Sequence, residues 1–210
     1  MQWSVVVPVK RLRLAKSRLY AVGRPRPEHE ELALCLALDT VAAALAAGTV
    51  RRLFVVTDDP AARAAMAAAG ALVLPDEPNA GLNPALAHGA AAARRRSARD
   101  GVALVSADLP ALRPAELDAA LAVAAGRDAA FVADARGTGT TLLATAPGRP
   151  VTPRYGQASA AAHRAAGAVE LTGDWPSLRT DVDTAADLRT AAELGLGPAT
   201  SAWTATHAVA

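Results

Sequence analysis

The sequence predicts an α/β fold: a single-domain, doubly wound, mostly parallel sheet with helices on both faces. Three observations predict it. The apolar residues fall in short continuous runs, which suits strands buried on both faces. Between the runs lie Ala-rich stretches of helical length, several opened by Pro and closed by Gly. Finally, 210 residues that are 52% hydrophobic but only 3% aromatic suffice for one core built from Ala, Val and Leu.

The elements follow in order. Residues 5–9, 52–57, 71–74 and 102–106 read as strands. Residues 28–47 form a helix that begins acidic and carries Leu32, Leu36 and Val41. The helix 60–69 follows Asp58-Asp59, an N-cap with Pro60 at the first helical position, and stops at Gly70. Helices 84–99 and 114–125 repeat the pattern, the latter closed by Gly126. Beyond it, 129–133, 141–145 and 169–171 read as further strands, with 180–183 a short one and 185–194 a helix. Residues 147–158 carry Gly148, Pro150, Pro153 and Gly156 and predict an ordered loop near the sheet's carboxyl end, where a second substrate would sit. The domain spans 1–199; residues 200–210 lack periodicity and read as a frayed tail.

Composition excludes several functions. Lys and Arg total 22 against 20 acidic residues, and no basic block is interleaved with aromatics, so nucleic acid is not the expected partner. Arg94-Arg95-Arg96 reads as a solvated helix face. Cys35 has no internal disulfide partner and reads as a small buried hydrophobe, which fits a reducing compartment. The first apolar run is too short and too early for a signal peptide, and no uncharged run approaches the roughly 20 residues that cross a bilayer. A cytoplasmic protein without a membrane partner is the expectation. His29, His88, His163 and His207 lack zinc-site spacing, and His163 reads as a surface residue near the 147–158 loop. No G-x-S-x-G nucleophile elbow is present.

Five segments are candidates for chemistry. The first strand runs into a loop carrying Lys10, Lys16 and Arg18, cations suited to a polyphosphate, although neither usual Gly-rich phosphate motif is present. Asp108 follows a buried strand directly, at the crevice where open α/β sheets bind ligands. A strand-end carboxylate suits Mg²⁺, which takes one or two carboxylates plus substrate phosphates. Asp181 and Asp183 share a side if 180–183 is extended, and a cation would relieve their repulsion; Asp183 is divided between metal and the cap of the next helix. Gly137-Thr138-Gly139-Thr140, with Arg154-Tyr155-Gly156 and Ser159, offers small donors suited to a phosphorylated or carboxylated acid; the glycines equally fit a hairpin turn. Asp76 through Asn83 offers carboxylate and amide groups that could read a base edge or form an ordinary loop into a helix.

In this order the segments resemble the phosphoenolpyruvate and 2-phospho-L-lactate guanylyltransferase family of deazaflavin coenzyme F-420 biosynthesis. The resemblance rests on Val7-Pro8-Val9-Lys10, Ala15-Lys16-Ser17-Arg18-Leu19, Gly81-Leu82-Asn83, Asp108-Leu109-Pro110, Gly137-Thr138-Gly139-Thr140, Arg154-Tyr155-Gly156 and Asp181-Val182-Asp183-Thr184. It implies a fold like that of the nucleotide-diphospho-sugar transferases, with GTP and phosphoenolpyruvate as substrates and Mg²⁺ as cofactor. It implies that Thr140, Gly156 and Ser159 hold phosphoenolpyruvate and that Lys10, Lys16, Arg18, Asp76 and Asn83 hold GTP. Asp108 and Asp181, joined by Asp183, would hold the metal, and Lys16, Arg18, Asp108 and Asp181 would carry catalysis. The loop here reads Gln157-Ala158-Ser159, where relatives often carry Pro-Asp or similar before the serine. Phosphoenolpyruvate is chosen over 2-phospho-L-lactate because the Ala- and Arg-rich composition resembles actinobacterial members. A molybdopterin or sugar nucleotidyltransferase would share the sheet but favour a glycine-rich first loop, which is missing. A non-catalytic nucleotide-binding module would not need Asp108 and Asp181 together. The Ala-rich surface and the habit of this fold point to a homodimer.

Overall fold

A computed structural model of the protein describes residues 1–14 and 26–207. Seven strands form one sheet in the order β3-β2-β1-β4-β6-β5-β7. They are β1 (Trp3–Pro8), β2 (Val50–Val56), β3 (Leu72–Leu74), β4 (Gly101–Val105), β5 (Ala129–Ala133), β6 (Thr140–Thr145) and β7 (Val169–Glu170). β1, β2, β3 and β4 run parallel, as do β5 and β7, whereas β6 lies antiparallel between β4 and β5.

Alternation along β1 sorts the helices. Val5 and Val7 join a core shared with α1 (Arg26–Ala46), α2 (Pro60–Ala68) and α4 (Pro114–Ala124). Val6 points to the opposite face and packs with residues of α3 (Leu82–Arg96) and α5 (Ser159–Ala165). Both faces are thus covered, which is why the strands read as unbroken apolar runs. On the second face Gly89 lets α3 press onto the sheet: a Cβ there would lie 2.5 Å from Val6 Cγ1.

The structure departs from the sequence reading in several segments. Residues 180–183 form no strand. The 200–210 segment is not a frayed tail through its described part: α8 (Pro198–Thr206) buries Thr200 and Trp203. Asp39 on α1 caps α8, accepting from Ala199 N at 2.9 Å and Thr200 N at 2.7 Å. The helical period is weak because Ala, Thr and Ser fill most of Pro198–Thr206 and Trp203 is its one large apolar side chain. Arg94 is not on a solvated face either. Its guanidinium donates to the carbonyls of Asp100, Ala146 and Arg149 and to Thr145 Oγ1, a half-buried position that lowers its pKa through desolvation. Cys35 is half-buried, and burial followed by the charges of Glu31 and Asp39 pushes its thiol up to about 11. No helix of the described residues is long and apolar enough to cross a membrane.

Candidate active site

The order of the sheet reverses between β1 and β4, and open α/β sheets bind ligands outside the strand ends at such a point. Three groups of residues converge on this edge. At the ends of β1 and β2 lies a cleft of about 300 Å³ lined by Val9, Lys10, Arg11, Asp58, Asp76 and Asn79 among others. Asp58 ties its walls together, accepting from Asp76 N at 2.9 Å and facing the Arg11 guanidinium at 4.0 Å. Asp59, the cap of α2, also accepts from Leu12 N at 3.0 Å, fixing the chain that leaves β1. Lys10 is exposed in this cleft and Asp76 half-buried. Lys16 and Arg18 lie outside the described residues.

Next to the cleft, β4 ends and Asp108 follows. Val182 donates its N–H to the Asp108 carbonyl at 3.0 Å, which brings the Asp181–Asp183 segment beside Asp108. Val182 itself is fully buried, in a cluster with Leu32, Leu36, Leu188 and Trp203. The two helices that follow Asp183 therefore anchor it: α7 (Ala185–Leu194) and α8 both pack into that cluster. Asp108, Asp181 and Asp183 are all half-buried. Among the described residues no group of three His, Cys, Asp or Glu side chains is close enough to hold a metal ion by itself. Carboxylates of this kind suit Mg²⁺, which takes one or two of them and completes its octahedron with waters and phosphate oxygens.

Asp183 does not cap α7. Thr184 does, within a capping box in which Asp187 accepts from Asp183 N, Thr184 N and Thr184 Oγ1. A hydroxyl one residue nearer the helix takes the role because Thr184 has the extended backbone of the cap. Asp187 also binds Arg136 at 2.6 Å. That bond and the Asp187 charge hold the Arg136 guanidinium above its ordinary range, with smaller pulls from Asp181 and Asp183.

The third group surrounds Thr140. Because β6 is antiparallel to β4, its first residue lies at the carboxyl end of β4, where Ser106 N donates to Thr141 O at 2.9 Å. Residues 134–139 form the β5–β6 hairpin turn, with Thr138 N on Asp134 Oδ1 at 2.8 Å. The turn docks on α5, since Ala160 N donates to Thr138 O at 3.1 Å. Ser159 opens α5 and is buried, and Gly156 holds φ +134°, a left-handed conformation that favours glycine.

Two residues make contacts that the sequence did not suggest. Asn83 spends both ends of its amide on Tyr155, donating to its carbonyl at 3.0 Å and accepting from its N–H at 2.8 Å. Its side chain therefore braces the 154–156 loop. His163 is not a surface residue: it is 1% exposed, bonded to Thr140 Oγ1 and Arg154 N, both at 2.9 Å. Burial first, then the Arg154 charge, pushes its pKa down to about 4. Isolated on an Ala-rich helix without a spaced partner, it gave no sequence signal.

Residues 30–174 match the MobA-like NTP transferase domain. A phosphoenolpyruvate guanylyltransferase of Salinispora arenicola is 57% identical over 201 residues, 95% of this chain and 92% of its own. One from Streptomyces coelicolor is 55% identical over 205 residues, covering 96% and 95%. Among solved structures, a Desulfovibrio desulfuricans G20 protein described as a nucleotide-diphospho-sugar transferase superposes with a TM-score of 0.71 at 18% identity, covering 100% of this chain and 97% of its own. A nucleotidyl transferase from Methanothermobacter gives 0.65 at 22%, covering 92% and 97%. The structural likenesses show the fold alone, which is that of the nucleotide-diphospho-sugar transferases. With the domain match and the identities taken together, the chain is a MobA-like nucleotidyltransferase and belongs to the phosphoenolpyruvate guanylyltransferase family.

Proposed function

We propose that this enzyme transfers GMP from GTP to the phosphate of phosphoenolpyruvate, giving enolpyruvyl-diphospho-guanosine and pyrophosphate, as a step of coenzyme F-420 biosynthesis. The observation that supports this reading is the arrangement along one sheet edge: a cleft lined by Lys10, Arg11, Asp58 and Asp76, then the Asp108 and Asp181–Asp183 segments, then a group of small donors. A nucleoside triphosphate fits the first, and a small phosphorylated acid fits the last.

In this reading Lys10 and Arg11, with Lys16 and Arg18, neutralise the triphosphate, and Asp76 faces the base. A carboxylate suits guanine, whose N1–H and N2–H both donate. Thr140, Gly156 and Ser159 hold the acid through hydroxyl and backbone donors. A phosphate oxygen of the acid forms the new bond to the α-phosphorus, and the bond from that phosphorus to the α,β-bridging oxygen breaks. The electron pair leaves with pyrophosphate. Phosphate is already ionised at neutral pH, so no general base is needed, and the protein's share is positioning and charge neutralisation. Asp108, Asp181 and Asp183 would hold Mg²⁺, whose chemistry there is to stabilise the charged phosphate oxygens.

The test is a matrix of each nucleoside triphosphate against phosphoenolpyruvate, 2-phospho-L-lactate and 3-phosphoglycerate, following pyrophosphate release. GTP with phosphoenolpyruvate should give the highest kcat/KM. A tenfold preference for 2-phospho-L-lactate, equivalent to about 1.4 kcal/mol, would replace the acid and keep the guanylyl transfer.

A further inference from the structure

We propose that His163 is a positioning residue of the acceptor site, fixing both the Thr140 hydroxyl and the Arg154–Gly156 loop so that their donors face an oxyanion of the phosphorylated acid. This rests on the reading above that Thr140 and this loop contact the acceptor.

The tautomer follows from the partners. Arg154 N lies 2.9 Å from His163 Nε2, and a backbone N–H can only donate, so Nε2 carries no proton. The single proton of the neutral ring must then sit on Nδ1. Thr140 Oγ1 lies 2.9 Å from Nδ1 and therefore accepts. A hydroxyl that accepts from the ring keeps its own proton for another acceptor, and among the described residues no other hydrogen bond of that hydroxyl is formed. Phe131 and Tyr155 pack against the ring, with centroid separations of 5.9 Å and 5.3 Å, and hold it in place.

The same ring sets the loop. Arg154 is fastened to His163, and Tyr155 is fastened to Asn83 through both its N–H and its C=O and through its hydroxyl to Leu104 O at 2.9 Å. Two consecutive anchored residues leave Gly156 at a defined position beside Ser159. Preorganised donors of this kind cost no reordering when an anion arrives.

Two substitutions separate the two bonds. His163→Asn places an amide nitrogen near Nδ1, keeping the donor to Thr140 and losing the acceptor for Arg154. His163→Gln places a carbonyl oxygen near Nε2, keeping the loop anchor and losing the donor to Thr140. Both variants, with unaltered circular dichroism, should raise KM for phosphoenolpyruvate about tenfold while changing KM for GTP less than twofold. Adding Thr140→Val should cost little further in the Gln variant and most of its usual effect in the Asn variant. If Thr140→Val alone raises KM for the acid but neither His163 variant does, the positioning role of His163 is overturned and the acceptor site stands. If Thr140→Val has no effect on that KM, Thr140 is not an acceptor ligand and both claims fall. Parallel losses of GTP and acid binding with a lowered Tm would reduce His163 to a packing residue and overturn the proposal.

Discussion

Val182 donates its backbone N–H to the carbonyl of Asp108 at 3.0 Å, so two segments far apart in the chain meet at the end of β4. Asp108→Asn and Asp181→Asn should each lower kcat by roughly 10²-fold or more with the fold intact, because each removes a charge without removing that backbone bond. Near wild-type turnover at saturating Mg²⁺ would take the substituted residue out of the metal site.

Asp183→Asn leaves the cap of α7 untouched, because Thr184 and Asp187 form it. Loss of activity in that variant with an unchanged Tm and a raised Mg²⁺ requirement would support a share of Asp183 in holding the cation. Thr184→Ala is the variant that weakens the helix, by about 1 kcal/mol. A denaturant titration of the two should show the larger destabilisation in Thr184→Ala.

Asn83→Leu removes both bonds to Tyr155 and leaves a donor and an acceptor of that residue without their partner, a cost of about 1–3 kcal/mol. Its kinetic effect should fall on the acceptor: KM for phosphoenolpyruvate rises more than KM for GTP. The opposite order would return Asn83 to the nucleotide.

Acid sensitivity follows from His163. Its ordinary pKa of 6.5 is lowered to about 4, first by burial and then by the Arg154 charge. Between those values the unfolded chain binds more protons than the folded one, so stability rises with pH across the window. The contribution is fully present above about 6.5 and is lost as pH falls to about 4. Asp187 acts lower: burial raises its pKa, but the bonds from Arg136, Thr184 and two backbone N–H groups outweigh that and depress it. Its stabilisation is present above its ordinary value of 3.8 and fades below it. Melting curves from pH 4 to 7 should slope less in His163→Gln than in the wild type; parallel curves would contradict the buried neutral ring.

The central strands were legible because burial on both faces leaves no alternation to misread, and each ends in a charged or turn-forming residue. Asp59 with Pro60 marked the start of α2 correctly, since cap chemistry is local. Asp108 was legible as a strand-end carboxylate for the same reason. The neighbourhood of Thr140 was less so: Asn83, His163 and Tyr155 act through contacts between distant segments that leave no spacing in the chain. The last helix escaped because its capping residue, Asp39, belongs to α1.

That helix gives a further prediction. Trp203→Ala should destabilise the protein by about 3–5 kcal/mol, since Trp203 is 3% exposed in the cluster that also buries Val182. Activity should fall with it at temperatures near the new Tm, because the same cluster seats Asp181 and Asp183. Unchanged stability would mean that α8 does not anchor this side of the site.

Guanylyl transfer to a phosphate oxygen is tested most directly by ³¹P NMR of GTP, phosphoenolpyruvate and Mg²⁺ with the purified enzyme. The phosphoenolpyruvate resonance should be replaced by two coupled diphosphate signals, one from its own phosphorus and one from the α-phosphorus of GTP, together with pyrophosphate. Inorganic phosphate and GDP, with the phosphoenolpyruvate signal unchanged, would contradict the account.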